Sequence, residues 1–344
     1  MSAHHNAHSG SAEEPLVTVL MPVYNAGAFL RPAVASALAQ THAPLELLLV
    51  DDGSADGAVD EVIADQDPRV RVIRQENAGK SAALNVGIAA ARGGYIAMLD
   101  ADDLCAPTRV ERQLRLLMER PELAAVFCGY ELIMGERRLA PQARAKDAAA
   151  CRRDIEAYRM PAHDPTGMYR RSMIEGLRYD EDLTIGEGLD YILRLGEQRP
   201  LAVAGECLYS YRVHGGSITR CDPAWRAGQV RMVIERAAAR RGVAAPPRKA
   251  PRSPSRRPTN KERDNNLAGH FLASVQDQTA AGRRFAACAT GLACARLHPF
   301  DPYYWRAMAL ALFPRASRSR RADRAADQEP EREAGRAREV TAKA

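Results

Sequence analysis

The acidic run MLDADD at residues 98–103 contains the side chains best suited to chemistry. Asp100 ends a short apolar stretch, and Asp102 and Asp103 follow within three residues of it. Carboxylates this close repel one another unless a cation lies among them. Hard divalent ions such as Mg²⁺ and Mn²⁺ prefer oxygen ligands and often bridge carboxylates to substrate phosphates. The run therefore indicates a metal–phosphate site; the alternative is an acidic helix N-terminus, which the helix dipole favours.

The first hundred residues alternate short apolar strands with helical patterns. Strands separated by helices of this length are typical of βαβ units and a parallel sheet. A further strand, three helices and an irregular loop are predicted beyond residue 104. The strands are predicted at 16–21, 45–50, 70–74, 95–99 and 124–130, the helices at 29–40, 58–65, 81–91, 108–120, 186–197 and 226–240, and the loop at 131–165.

Polar residues follow the predicted strands of this first part. In open α/β sheets, ligands bind outside the carboxyl ends of the strands. Asn, Asp and Gly are also the usual turn residues, but four polar clusters in succession favour one shared site over four separate turns. The clusters are Tyr24 with Asn25, Asp51 with Asp52, Asn77 alone, and Asp100 with Asp102 and Asp103.

Four motifs resemble, in order and spacing, those of the family 2 inverting glycosyltransferases. They are PVYN at 22–25, VDDGS at 50–54, NAGKSAALN at 77–85 and GGYIAMLDADD at 93–103. The resemblance covers about residues 15–218. It implies an α/β, GT-A (Rossmann-like) fold: a mostly parallel sheet flanked by helices, with a helical C-terminal extension and a disordered tail.

The resemblance also implies ligands for these residues. Asp100 and Asp102 would bind a divalent metal, Mn²⁺ or Mg²⁺, and His214 in the later segment YSYRVH is the candidate third ligand. Tyr24 and either Asp51 or Asp52 would contact the nucleotide. Lys80 would lie near the phosphates, and Asp103 beside the donor sugar. The full nucleotide-sugar set is Pro22, Tyr24, Asn25, Asp51, Asp52, Asn77, Lys80, Asp100, Ala101 and Asp103.

An inverting transfer needs a carboxylate that removes the proton of the acceptor hydroxyl. In the family this base comes from an acidic motif, often Glu-Asp, before a helix ending in Leu-Arg-Leu. The matching stretch here is GEGLDYILRL at 186–195, in which Gly188 stands where the family usually has Asp. Glu187 and Asp190 are therefore the candidate bases, and Glu187 is favoured.

The composition argues against several other classes. The 344 residues carry a net charge of +6, too small to indicate nucleic acid as a partner. The seven cysteines are scattered without a C-x-x-C pair, which argues against zinc sites and a disulfide scaffold. No apolar run approaches the roughly 18 residues of a membrane span. We expect a cytoplasmic protein. The aromatic, apolar and Arg-rich residues 303–321 could contact the inner face of a membrane, although packing on the catalytic domain is favoured.

Composition also predicts the domain organisation. The segments are a disordered N-terminus (1–14), a catalytic domain (15–220) with a nucleotide-sugar half (15–104) and an acceptor half (105–220), a helical extension (221–243), a basic Pro-rich linker (244–263), a C-terminal helical region (264–314) and a disordered charged tail (315–344).

The sequence thus predicts a metal-dependent inverting glycosyltransferase. It would move a sugar from a nucleotide-diphosphate sugar to a hydroxyl of a glycan, lipid-linked or protein acceptor, in cell-surface polysaccharide or glycoconjugate synthesis. One alternative, based on Gly188, is a degenerate protein that binds a nucleotide sugar or glycan without turnover. A nucleotidyltransferase is a second alternative, but it would need a Gly-rich basic loop where the chain has PVYNAG.

Overall fold

The computed structural model describes residues 14–134, 137–213 and 223–246, together with Phe285, Cys288 and Leu292. The three long stretches lie in one compact unit, Met1–Leu267, and Ala268–Ala344 form a second. The predicted N-terminal segment up to residue 13, most of the linker, nearly all of the C-terminal helical region, and the charged tail lie outside the described residues. Among the helices that the structure describes, none is both long and apolar enough to cross a bilayer.

The described residues form a nine-stranded sheet. Its order is β3-β2-β1-β4-β8-β6-β9-β5, with β7 paired to β6. The strands are β1 Val17–Val23, β2 Leu45–Asp51, β3 Val70–Arg74, β4 Tyr95–Met98, β5 Leu104–Cys105, β6 Ala125–Met134, β7 Arg137–Gln142, β8 Met168–Arg170 and β9 Leu201–Arg212.

The first four strands are parallel to one another. β1 lies between β2 and β4, so the carboxyl ends of these three strands meet at one edge. β1 and β2 are buried almost throughout, as expected for strands covered by helices on both faces. Beyond β4 the sheet is mixed: β8 is antiparallel to β4 and β6, whereas β9 runs parallel to β6 and antiparallel to β5. The predicted α/β fold is confirmed.

Helices cover both faces of the sheet. Successive residues of a strand point to opposite faces, and Val19 and Leu20 of β1 accordingly belong to two separate apolar cores. The helices are α1 Leu30–Leu38, α2 Ala58–Ile63, α3 Lys80–Ala90, α4 Arg109–Glu119, α5 Ala148–Glu156, α6 Glu187–Gln198 and α7 Pro223–Arg240.

The prediction of an irregular loop at 131–165 was wrong. β6 continues to Met134, β7 follows, and α5 begins after Asp147, whose carboxylate accepts the Ala150 N–H at 2.7 Å. The long strand β9 was also not predicted. α5 buries only Cys151 and Ile155, so its apolar periodicity is too weak to stand out in the sequence.

Arg109 of α4 fastens the segment that leads into β8. It is only 1% exposed, and its guanidinium donates to the carbonyls of Pro165 and Gly167 at 2.9 and 3.3 Å. It also donates to Gln113 Oε1 at 3.0 Å and lies 5.1 Å from the centre of the Tyr209 ring. A buried cation with this many partners fixes the turn that it contacts.

We expect Arg109→Met to lower the free energy of unfolding by about 2–4 kcal/mol, because the two buried carbonyls lose their donor. Arg112→Met on the same helix is the matched control. Arg112 is 3.8 Å from Glu206 and both side chains are about half exposed, so its loss should cost at most about 1 kcal/mol. Urea denaturation of both variants checks this, and equal effects would contradict it.

Candidate active site

The loop after β1 is joined to the loop after β2. β1 ends with Pro22 and Val23. The next residue, Tyr24, is 57% exposed. Asn25 has a left-handed backbone (φ +48°), which Asn tolerates better than most residues. Its N–H donates to Ser54 Oγ at 3.0 Å, and its side-chain oxygen accepts the Ala55 N–H at 2.8 Å. Tyr24 is thereby presented to solvent at the carboxyl edge of the sheet.

Asp52 organises the loop before α3. This carboxylate is 3% exposed and accepts three hydrogen bonds: from the Gln75 side chain at 2.7 Å, the Ala78 N–H at 2.8 Å and the Gly79 N–H at 2.9 Å. Three donors to one carboxylate fix the loop firmly. The loop ends at Lys80, the first residue of α3, which is therefore delivered to the same edge.

Asp51 and Asn77 stabilise the same two loops. The Asp51 carboxylate, 5% exposed, accepts the Ser54 N–H at 2.9 Å and lies 3.6 Å from Arg74. The Asn77 side chain donates to the backbone oxygen of Asp52 at 3.0 Å.

Lys80 and Asp100 form an ion pair in which Nζ lies 2.7 Å from Oδ1. Their side chains are 33% and 19% exposed. Burial alone would lower the pKa of Lys80, but the negative charges of Asp100 and Glu187 outweigh that effect and raise it. Lys80, at the start of α3, therefore carries a positive charge at any physiological pH beside the acidic loop that follows β4.

Three carboxylates converge beside this ion pair. One oxygen from each of Asp100, Asp102 and Asp103 lies within 4.8 Å of the others. Asp100 and Asp102 are partly exposed, whereas Asp103 and Ala101 are buried. An all-oxygen cluster of this kind fits a hard divalent cation such as Mg²⁺ or Mn²⁺.

Asp103 joins the acidic loop to β9. The Tyr209 hydroxyl donates to its Oδ2 at 2.6 Å, and the Arg212 backbone N–H donates to its Oδ1 at 2.8 Å. Burial, with the neighbouring charges of Asp102 and Asp100, raises the pKa of Asp103 well above its usual value. β9 thus holds the loop in place. His214, two residues beyond this strand, lies outside the described residues.

Glu187 also faces this cluster of charges. It is the first residue of α6, after Gly186 in a left-handed conformation (φ +89°). Burial raises the pKa of Glu187, the positive charge of Lys80 opposes that rise, and the charges of Asp164 and Asp100 add to it. Glu187 therefore lies within electrostatic reach of the ion pair.

Asp190 lies elsewhere on α6. It is 3% exposed, and its carboxylate pairs with Arg194 at 2.7 Å and with Arg240 of α7 at 3.4 Å. The two candidate bases are thus in different surroundings. Glu187 lies within electrostatic reach of Lys80 and Asp100, and Asp190 joins α6 to α7.

Sequence reasoning missed a further buried carboxylate, Asp164. It begins a 3-10 turn, Asp164–Thr166, and is 8% exposed. The Tyr169 hydroxyl donates to its Oδ1 at 2.7 Å, and the Tyr179 hydroxyl donates to its Oδ2 at 3.0 Å. Burial raises the pKa of Asp164, while these hydroxyls and the charge of Lys80 lower it. No local pattern at 163–165 marks this residue.

Asp164 is also the neighbour of Gly188. A Cβ built on Gly188 would lie 2.8 Å from the Asp164 Cβ, 2.9 Å from its Oδ2 and 3.0 Å from its Cγ. Real Cβ atoms do not approach other atoms this closely, so a side chain at 188 would displace Asp164. The glycine in the acidic motif is the one signal in the sequence that could have pointed to a group packed against it.

α3 holds the loop that carries Tyr179. The Asn85 amide donates to the Tyr179 carbonyl at 2.9 Å, and the Tyr179 N–H donates back to Asn85 Oδ1 at 2.7 Å. The motif NAGKSAALN therefore has two tasks: Lys80 at its centre pairs with Asp100, and Asn85 at its end positions a tyrosine that hydrogen-bonds Asp164.

Comparison with known proteins shows what this site is similar to. Residues 18–177 match the family model described as Glycosyl transferase family 2. The matched range contains the edge of the sheet, the acidic loop and Asp164, and ends before α6.

Curated relatives extend the similarity. The uncharacterized glycosyltransferase EpsJ of Bacillus subtilis is 34% identical over 219 residues, which cover 60% of this chain and 63% of that protein. The succinoglycan biosynthesis protein ExoO of Rhizobium meliloti is 35% identical over 228 residues, which cover 60% of this chain and 63% of that protein. The chain thus spans a little under two thirds of the length of these two relatives.

Solved glycosyltransferase structures confirm the GT-A fold. S. aureus TarS 1–349 in complex with UDP-GlcNAc has a TM-score of 0.53 and 16% identity, and covers 86% of this chain and 89% of that one. The mannosyltransferase PcManGT from Pyrobaculum calidifontis, in complex with GDP-Man and Mn²⁺, has a TM-score of 0.52 and 20% identity, with 89% of each chain covered.

We expect Gly188→Ala to lower the free energy of unfolding by about 1–3 kcal/mol, because the new methyl group overlaps Asp164. Gly228→Ala in α7 is the matched helical control. Its Cβ meets nothing within 4 Å, so alanine there should raise stability by about 0.5–1 kcal/mol. Thermal and urea unfolding of both variants measure the difference; a Gly188→Ala protein as stable as Gly228→Ala would show that the overlap is relieved without cost.

Proposed function

We propose that the chain is a metal-dependent inverting glycosyltransferase that moves a sugar from a nucleotide-diphosphate sugar to an acceptor hydroxyl. The observation that carries the proposal is the convergence of the Lys80–Asp100 ion pair, the three-carboxylate cluster and Glu187 at one edge of the sheet. The family 2 match over residues 18–177 supports the reaction class. The name of ExoO supports a role in polysaccharide synthesis. The proposed acceptor is a glycan, a lipid-linked molecule or a protein.

The metal would be held by Asp100 and Asp102, with His214 as the proposed third ligand. The oxygen-rich cluster that contains Asp100 and Asp102 suits Mn²⁺ or Mg²⁺. When bound, such an ion stabilises the negative charge that develops on the nucleoside-diphosphate leaving group. The structure of PcManGT holds Mn²⁺ together with GDP-Man, which supports a divalent ion beside a nucleotide-diphosphate sugar here.

The donor would lie along the edge formed by the β1, β2 and β4 loops. The exposed ring of Tyr24 offers a flat surface against which a nucleotide base can stack. Asp52 would act by fixing the loop that brings Lys80 to the phosphates, since its carboxylate is occupied by three donors. The proposed donor site comprises Pro22, Tyr24, Asn25, Asp51, Asp52, Asn77, Lys80, Asp100, Ala101 and Asp103.

Glu187 is the proposed general base. Its carboxylate would take the proton of the acceptor hydroxyl as the oxygen attacks the anomeric carbon and the nucleoside diphosphate leaves. A raised pKa makes it a stronger base than an ordinary carboxylate, while the charge of Lys80 favours its ionised form. Asp190 is less suited to this task because two arginines neutralise it.

The alternative of a degenerate binding protein rests on Gly188 alone. Such a protein would bind a nucleotide sugar and release nothing. The intact acidic cluster favours the enzyme, because closely spaced carboxylates are costly to keep together without a cation. Turnover of a donor distinguishes the two.

We expect one of a panel of UDP-, GDP- and dTDP-sugars to be hydrolysed slowly to its nucleoside diphosphate in the presence of Mn²⁺ or Mg²⁺. EDTA should abolish release, and Asp102→Asn should reduce it about 100-fold or more, because the leaving group loses its counter-ion. Asp67→Asn is the control, because Asp67 pairs with Arg69 in the turn before β3, at the amino ends of the parallel strands. A donor that stabilises the protein thermally without any release would favour the degenerate alternative.

We expect Glu187→Gln to lower kcat by about 10²–10⁴-fold while donor binding stays intact, because the acceptor proton loses its base. In the wild-type protein the acid limb of the pH–rate profile should lie above the ordinary Glu pKa of about 4.3, since activity is lost as pH falls through the raised pKa of Glu187.

Asp190→Asn is the control for that limb. It should reduce stability, because Arg194 and Arg240 lose their partner, and leave the position of the limb unchanged. A shifted limb in Asp190→Asn with an unaffected Glu187→Gln would reverse the assignment.

A further inference from the structure

The acidic motif GEGLDYILRL of this chain lacks one carboxylate. A carboxylate from another segment of the chain lies at the position left open. Gly188 follows Glu187 where the family usually has Asp. The gap is filled by Asp164, whose Oδ2 lies 2.9 Å from the place that a Cβ of residue 188 would take. The two positions are mutually exclusive, because a side chain at 188 and the Asp164 side chain would overlap.

We propose that Asp164 supplies the second carboxylate of this site from a separate segment, and that Gly188 is the space that admits it. The inference rests on the proposed glycosyltransferase function and deepens it. Glu187 and Asp164 together then replace the adjacent Glu-Asp pair of the family motif. Asp164 is a positioning residue: it acts through Lys80 and Glu187.

Side chains of α4 anchor the segment that carries Asp164. Arg109 donates to the Pro165 carbonyl at 2.9 Å, and Gln113 donates to the Thr166 carbonyl at 2.9 Å. The Thr166 hydroxyl in turn donates to the His163 carbonyl at 2.6 Å. Hydrogen bonds to the carbonyls of residues 163, 165 and 166 hold this turn and thereby the position of its carboxylate.

Tyrosine rings enclose the carboxylate from the other side. Tyr179 and Tyr191 are stacked with ring centres 4.0 Å apart, and Tyr169 meets Tyr191 edge-on at 5.8 Å. This packing fixes the two hydroxyls that donate to Asp164. Removing the negative charge while keeping an acceptor oxygen should therefore leave the fold intact, which separates a role in charge from one in packing.

The charges around Asp164 explain why a carboxylate is needed there. Lys80 already pairs with Asp100, and its positive charge also acts on Glu187 and Asp164. A second fixed negative charge beside Glu187 helps to hold the ammonium of Lys80 between the donor side and the acceptor side of the site. If residue 164 were neutral, Lys80 would keep the negative charges of Asp100 and Glu187 beside it and would lose that of Asp164.

The first test is Asp164→Asn, which keeps an oxygen for the tyrosine hydroxyls and removes the charge. We expect kcat for nucleoside-diphosphate release to fall about 10–100-fold with little change in KM for the donor, as is typical for a group that orients a functional side chain. The melting temperature should stay close to that of the wild type. Activity within about twofold of the wild type would overturn the inference.

The second test moves the carboxylate back into the motif. The double variant Asp164→Gly with Gly188→Asp carries it at 188 and removes the atoms that it would overlap. The matched control is Asp164→Gly with Gly188→Ala, which has the same backbone changes and no carboxylate. We expect the first to release nucleoside diphosphate at least about tenfold faster than the second, since only the carboxylate differs.

Equal rates for the two double variants would also overturn the inference. Thermal stabilisation by the donor with Mn²⁺, measured for each variant, shows that the nucleotide half of the site is still folded. A wild-type protein that releases no nucleoside diphosphate from any donor would refute the proposed function itself. Activity in the wild type with full activity in Asp164→Asn refutes only the role of Asp164.

Discussion

The carboxyl edge of the sheet gathers several acidic side chains around the cation of Lys80, and this charge balance constrains the surrounding structure. The ammonium pairs directly with Asp100 and acts on Glu187 and Asp164. The position of Lys80 is fixed because the Asp52 carboxylate accepts three hydrogen bonds from the segment that leads to Lys80. The balance of these charges, together with apolar packing, therefore holds in place β1, β2, β4 and the starts of α3 and α6.

Two buried acids of the site also accept hydrogen bonds from neutral donors. Asp103 accepts hydrogen bonds from the Tyr209 hydroxyl and the Arg212 N–H, and Asp164 accepts them from two tyrosine hydroxyls. Such dipoles are attached to strands and packed rings, so they do not reorient as charge changes nearby. A site built in this way presents a fixed field to a charged ligand, which is the condition under which electrostatic stabilisation is most effective. Arg109 contributes indirectly, by anchoring the turn of Asp164.

Much of the N-terminal half could be predicted from the sequence, because its strands are continuous apolar runs and its helices have regular spacing. The edge cluster followed from the rule that ligands bind at the carboxyl ends of parallel strands. β9 was missed since two exposed residues, Gly205 and Glu206, interrupt its apolar pattern. Asp164 was missed for a different reason: its contact with Gly188 joins two segments without any local periodicity. Steric complementarity between distant residues has no counterpart in a composition or a spacing rule.

A Cβ at residue 188 would lie only 2.8 Å from the Asp164 Cβ, and this also restricts how the protein can change over evolutionary time. The two positions are linked by epistasis, since the effect of a substitution at one depends on the residue at the other. A lineage that acquires a side chain at 188 must first shorten residue 164, because the opposite order passes through an intermediate with overlapping atoms. The order of mutations is thereby set by geometry, and descendants of this chain should keep glycine at 188 for as long as they keep aspartate at 164.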